Sequence, residues 1–237
     1  MTGAAGGIGG AIARALAEGG DKVVACDIEG DAVEAEALRL RREGFDVVAI
    51  RVDVAAPQSC RDMAEAVLSR HGRIDALVHA AGIDAPPGRA WEEEDAHWRQ
   101  IIEVDLGGAF WAAKAVLPQM VGQKAGRIIF LGSVAARAPS LATSAAYNAA
   151  KAGINGLAVG LSAQVEAMGV RVNVIAPGPT GTGAAMTAAQ RRGYEALYPL
   201  GEGGTAPVVE ACRYLLGPGG DWLSGSVLNV SGGRLRG

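Results

Sequence analysis

Tyr147 and Lys151 stand four residues apart in the run Ala145-Ala146-Tyr147-Asn148-Ala149-Ala150-Lys151-Ala152-Gly153, which reads as the opening of a long helix. Four residues is about one turn, so both side chains leave the same face. An ammonium held near a phenol favours the phenolate, which brings a group with an ordinary pKa of about 10 toward neutral pH. The pair is suited to moving a proton on and off an oxygen. Ser133 follows the apolar run Ile128-Ile129-Phe130-Leu131 and the turn residue Gly132, so its hydroxyl is expected to face a crevice and hydrogen-bond a substrate oxygen.

A second constellation opens the chain. Thr2-Gly3-Ala4-Ala5-Gly6-Gly7-Ile8-Gly9 runs directly into an amphipathic helical pattern carrying Ile8, Ile12, Ala15 and Leu16. Glycines at a turn that begins a helix let the backbone approach a pyrophosphate, whose charge the helix N-terminus favours. Gly3, Gly7, Ile8 and Gly9 are therefore candidate cofactor contacts. Asp27 ends the next strand, close to the ~20-residue offset at which a carboxylate meets the adenosine ribose hydroxyls. A carboxylate there repels a 2′-phosphate, so the expected cofactor is NAD rather than NADP. Only Met1 precedes Thr2, and the strand that should lead into this turn is missing from the sequence. We read this as a shortened sequence rather than a native sheet with a hole; its two neighbours are expected to lose a shared partner, at about 1 to 3 kcal/mol per unpaired buried group.

These residues must be positioned by alternating strands and helices. Apolar runs over Lys22 to Asp27, Asp46 to Val52, Ile74 to His79, Arg127 to Leu131, Val170 to Ala176 and Ser226 to Val230 predict strands covered on both faces. Helices are predicted over Ile8 to Glu18, Asp31 to Glu43, Pro57 to His71, Asp95 to Leu117, Ala145 to Met168 and Ala206 to Leu216. The pattern is that of an α/β, Rossmann-like doubly wound parallel sheet with helices on both faces, formed as one domain over 1–237. Irregular stretches at Ile83 to Glu94, Val134 to Ser144 and Pro177 to Gly204 follow strands, where such sheets keep their ligand crevice.

Composition narrows the class further. Hydrophobic residues make up 49% of the 237 and charged residues 20%, which gives ample core and no case for disorder. A net charge of −3 provides no basic field for nucleic acid. The apolar runs are too short for a bilayer and no charged-then-apolar leader precedes them, so a cytoplasmic protein is expected, without a membrane partner. Cys26, Cys60 and Cys212 have neither metal-ligand nor redox-motif spacing and are expected as buried thiols. His71, His79 and His97 likewise lack a second ligand at metal spacing, so no metal is expected. Trp91, Trp98, Trp111, Trp222, Met120 and Met168 are read as core or subunit packing.

Taken in order, Thr2-Gly3 with Gly7-Ile8-Gly9, Asp53-Val54, Ala80-Ala81-Gly82, Ser133, Tyr147 with Lys151, and Asn173 to Thr182 containing Pro177-Gly178 resemble the short-chain dehydrogenase/reductase family over essentially the whole chain. The resemblance implies that Asp53 and Val54 contact the adenine and that Ala80 and Gly82 admit the adenosine. It also implies that Pro177, Gly178, Thr180 and Thr182 close over the nicotinamide, with Thr182 at its amide. Lys151 would bind the nicotinamide ribose while Tyr147 moves the hydroxyl proton of a small secondary alcohol or ketone. Three departures are noted. His79 stands where the family has Asn, so a side-chain contact stabilising the sheet core is expected to be lost. Asp105 stands where the family's fourth catalytic residue is Asn; its expected role is through the backbone, holding a water that links Lys151 to solvent, although an ionised side chain there would alter the Lys151 titration. The Ser133-to-Tyr147 segment is one residue longer than is common, with a bulge expected near Pro139.

The resemblance further implies a homotetramer, packed through the two long helices Asp95 to Leu117 and Ala145 to Met168 and through the C-terminal strand. A substrate lid is expected over 183–204, where Ala184, Ala185, Met186, Tyr194 and Tyr198 suggest a mostly apolar cavity. Two alternatives stand beside the NAD-dependent secondary-alcohol or hydroxyacyl dehydrogenase. One is a 3-oxoacyl-carrier-protein reductase, which would need NADPH and a basic docking patch. The other is a non-catalytic nucleotide-binding protein, motivated by the missing strand and by Asp105.

Overall fold

The computed structural model describes residues 1–83, 89–138, 143–180 and 188–236. Strands β1 Val23–Asp27, β2 Val47–Arg51, β3 Ala76–His79, β4 Gly126–Leu131, β5 Val170–Pro177 and β6 Val227–Val230 match the predicted runs to within two residues at each end. All pair in parallel: β1 with β2, and β3, β4, β5 and β6 side by side in that order. Successive residues of each strand serve opposite faces. Val24, Cys26, Ile128 and Phe130 join one core cluster beneath α3 Pro57–His71, α5 Gly108–Gln123 and α6 Ala145–Val165. Val23, Ala25, Ile129 and Leu131 face α1 Gly7–Glu18, α2 Gly30–Arg42 and α8 Ala206–Leu216 on the other side. Covering both faces is what makes the strands read as continuous apolar runs.

Met1 and Thr2 lie in the slot between β1 and β3, where Thr2 bridges in parallel to both Cys26 and His79. The Thr2 amide donates to the Val78 carbonyl at 3.0 Å, the Ala80 amide donates to the Thr2 carbonyl at 3.2 Å, and the Cys26 amide donates to the Met1 carbonyl at 2.8 Å. The expected loss of a shared partner is corrected at the carboxyl end of the sheet. Two residues suffice there to tie the two halves together at the level where the glycine turn begins.

Three elements depart from the expected boundaries. The helix predicted over Asp95 to Leu117 begins as α4 Asp95–Ile101, widens into a π-turn at Ile102–Gly107, and continues as α5 through Pro118 to Gln123. Proline disfavours a helix interior, but Met120 is fully buried and Gln123 bonds both the amide and the carbonyl of Ile74, so tertiary contacts carry the helix past it. The helix predicted to Met168 ends at Val165, followed by a 3-10 turn at Glu166–Met168. A helix α7 at Ala188–Leu197 stands inside the stretch Pro177 to Gly204 expected to be irregular. Of the residues expected in packing, Met120 is in the core, whereas Met168, Trp91 and Trp98 are exposed and Trp222 is 97% exposed. The three cysteines are free and buried.

Candidate active site

Helix α6 starts where it does because Ser144 caps it, its Oγ accepting the Tyr147 amide at 3.0 Å. That puts Tyr147 in the first turn and Lys151 one turn later. The buried row Ala146, Ala150 and Ile154 turns this face inward. The Lys151 Nζ lies 5.3 Å from the centre of the Tyr147 ring, with the lysine only 6% exposed. It also donates to the Leu131 carbonyl at the end of β4, at 3.4 Å. Ser133, two residues further along the chain, has an extended backbone, and its Oγ accepts the Ala135 amide at 3.1 Å. A hydroxyl that accepts in this way keeps its own O–H as a donor. The 3-10 turn it caps, Val134–Ala136, packs on α6. Pro139 and its expected bulge lie outside the described residues.

Asp105 brings its side chain to the site as well as its backbone, next to the lysine whose titration an ionised group there was expected to alter. The π-turn carries its side chain to full burial, with Oδ2 3.0 Å from Lys151 Nζ and Oδ1 accepting the Ile83 amide at 2.8 Å. The carboxylate thereby joins the lysine of α6 to the loop that follows β3. Gly82 makes room for this pair: a Cβ there would stand 3.1 Å from Nζ and 3.2 Å from Oδ2.

The glycine turn has the features a dinucleotide needs. Helix α1 begins without a side-chain cap and without an acidic residue in its first turn, which leaves its amides and its positive dipole end to an anion. A Cβ on Gly9 would overlap the Gly3 carbonyl, so the turn closes only with glycine; Gly7 and Ile8 form the first helical residues. Asp27 leans over this turn, Oδ2 accepting the Ala5 amide at 2.9 Å and Oδ1 the Glu29 amide at 3.2 Å. Asp53 caps its own turn by accepting the Ala55 amide at 3.0 Å, and Val54 is buried against Gly108. Ala80 hydrogen-bonds Thr2 through its amide, as noted above. Pro177 ends β5, the Gly178 amide donates to the Val230 carbonyl at 2.8 Å, and Thr180 lines an adjoining cavity of about 390 Å³ with Tyr198, Leu200, Val208 and Asn229. Thr182 lies outside the described residues.

His79 also corrects an expectation. Its side chain does make a core contact, Nδ1 lying 2.9 Å from the Thr2 Oγ1. Burial, followed by the nearby Lys151 charge, pushes the imidazole down to about 3, so it is neutral throughout the physiological range. The sequence reading missed this Thr2–His79 contact and the Leu131 carbonyl that receives Lys151. A polar residue closing the apolar run Ala76-Leu77-Val78 was the available signal for the first; a backbone acceptor leaves no signal in residue type.

A doubly wound parallel sheet with an open glycine turn and a tyrosine–lysine pair, both at the carboxyl ends of its strands, is a nucleotide-binding oxidoreductase architecture. The chain belongs to the short-chain dehydrogenase/reductase family, whose short chain dehydrogenase pattern matches residues 1–193. It is 35% identical to the cis-4-hydroxycyclohexanecarboxylate dehydrogenase of Sinomonas cyclohexanicum over 236 residues, 98% of this chain and 94% of that protein. It is 34% identical to the 3-oxoacyl-(acyl-carrier-protein) reductase of Escherichia coli (strain K12), over 98% and 95% of the two chains. Among solved structures, a 3-oxoacyl-(acyl-carrier-protein) reductase with bound NAD from Brucella melitensis superposes with a TM-score of 0.90 at 29% identity, covering 99% of this chain and 90% of that one.

Proposed function

We propose that the protein interconverts a small secondary alcohol and its ketone with NAD(H), with Tyr147 as the acid and base. The observation that carries this reading is the buried Lys151 ammonium beside the Tyr147 ring. In oxidation the Tyr147 phenolate takes the hydroxyl proton, Ser133 holds the developing carbonyl oxygen through its O–H, and Lys151 keeps the phenolate charge favourable. NAD, which the glycine turn and Asp27 would hold, would supply the acceptor for the hydride of the carbinol carbon. Asp27 supports NAD, because a carboxylate at the ribose disfavours a 2′-phosphate, and the uncapped α1 terminus suits the pyrophosphate. Asp53, Val54, Ala80, Gly82, Pro177, Gly178 and Thr180 are the proposed remaining cofactor contacts, with Thr182 among them from the sequence alone.

The cavity beside Thr180 is the proposed substrate pocket, and residues 198–204 of the suggested 183–204 lid supply one of its walls. A cyclic alcohol bearing a carboxylate is the class suggested by the 35% identical dehydrogenase. A 3-oxoacyl thioester reductase is the second reading, favoured by the 34% identical relative. Assaying cyclic and acyclic secondary alcohols and a 3-oxoacyl thioester with each cofactor separates the two. Turnover of alcohols with NAD is expected; faster turnover with NADP overturns the cofactor assignment. Tyr147→Phe should lose roughly 10²-fold or more in kcat; parental turnover in that variant would remove Tyr147 as the acid and base, and nucleotide binding with no turnover in parent or variant would favour a non-catalytic nucleotide-binding protein.

A further inference from the structure

The Asp105 side chain has no part in the proton transfer described above, yet it is placed with more constraint than a structural residue needs. Its carboxylate is fully buried, its Oδ1 is occupied by the Ile83 amide, and its Oδ2 faces Lys151 Nζ at 3.0 Å without an aligned hydrogen bond among the described residues. The contact is therefore mainly one of charge. The other groups around the ammonium are Tyr147 on its own helix, the Leu131 carbonyl from β4, the neutral His79 from β3, and Gly82, which adds no side chain. Among the described residues, Asp105 is the one anion in contact with Lys151. The π-turn that carries it also supplies Ile102 and Leu106, which pack with Ile83 and Tyr147 in one apolar cluster. Charges this deeply buried are little screened by solvent or salt.

We infer that the Asp105 carboxylate is a positioning residue that offsets the field of Lys151 at Tyr147 and so sets the pH at which the phenol gives up its proton. The inference rests on Tyr147 being the proton-transfer group. A lone ammonium favours the phenolate; an ammonium paired with a carboxylate favours it less. The pair thus keeps the phenol protonated to higher pH, which serves proton donation to a ketone at neutral pH and pushes alcohol oxidation to the alkaline side. An uncharged residue at position 105 leaves the Lys151 field unopposed.

Asp105→Asn removes the charge while keeping an oxygen for the Ile83 amide, and Asp105→Ser makes the same charge change should the amide not be accommodated. With tyrosine labelled at Cζ with ¹³C, and Tyr147→Phe assigning its signal among the four tyrosines, the Tyr147 titration is read directly by NMR. Its midpoint is expected to fall by about one pH unit in either folded variant. The rising limb of alcohol oxidation against pH should move by the same amount, with the alkaline plateau retained. An unmoved Tyr147 midpoint in a folded variant overturns the inference whether or not any alcohol turns over. A shifted midpoint in a protein that oxidises and reduces nothing supports the inference about the ion pair and defeats the oxidoreductase reading instead.

Discussion

Water is stripped from His79 by the sheet on either side of it, and the imidazole keeps Thr2 as a partner while remaining only 1% exposed. The free imidazole protonates near 6.5, whereas the folded one waits until about 3. Between those values the unfolded chain binds a proton that the folded chain refuses. The stability contributed by the neutral ring is therefore complete above about pH 6.5 and is lost as pH falls toward the folded value, at up to about 1.4 kcal/mol per pH unit. Thermal melts between pH 6.5 and 4.5 should show a steeper loss in the parent than in His79→Asn, which retains a group able to bond Thr2. Parallel slopes would remove His79 from the acid sensitivity. At this scale the sequence exposed the juxtaposition of Tyr147 and Lys151 because one helical turn separates them; it could not expose the partner of His79, which lies 77 residues away in the chain.

At the scale of elements, the first turn of α1 depends on the absence of a single carbon. A Cβ on Gly9 would collide with the backbone of Gly3, and backbone has no rotamer by which to yield. Gly9→Ala should weaken nucleotide binding by about tenfold or more, equivalent to about 1.4 kcal/mol, with a lowered melting temperature. Gly156 inside α6 is the control, since a Cβ there meets nothing within 4 Å. Gly156→Ala should leave binding unchanged and stabilise the protein by about 0.5 to 1 kcal/mol, as alanine does in a helix interior. Calorimetric titration with NAD checks both, and equal affinities for the two variants would show that the turn does not cradle the dinucleotide. The glycine spacing made this element readable from sequence. The π-turn at Ile102–Gly107 was not readable, because its extra residue leaves the apolar period of the flanking helices almost intact.

At the scale of the whole molecule, the homotetramer expected from the sequence would have exposed aromatic side chains to cover, among them Trp222, 97% exposed, and Tyr214 on α8. Large apolar side chains left to water favour burial against another copy. Light scattering should give four times the 24.1 kDa mass of the chain, and a stable monomer would remove the assembly. Among the described residues no helix is long and apolar enough to cross a membrane. NAD binding should add about 2.7 kcal/mol at a hundredfold excess over its Kd, raising the melting temperature more than the same concentration of NADP. A larger shift with NADP would overturn the role proposed for Asp27 at the ribose.

Local order was determined by the sequence alone. Strands announced themselves as short apolar runs, helices by period and caps, the glycine turn by its composition and the shared face of Tyr147 and Lys151 by their spacing, since each depends on residues adjacent in the chain. Tertiary structure alone decided that Met1 and Thr2 would tie the two halves of the sheet, that α5 would run on through Pro118, and that Asp105 would meet Lys151 rather than solvent. Those outcomes turn on which distant surfaces arrive together. For Asp105 the physical reason is particular: a π-turn rotates its carboxylate inward, and only burial beside an ammonium makes that charge matter to a phenol on another helix.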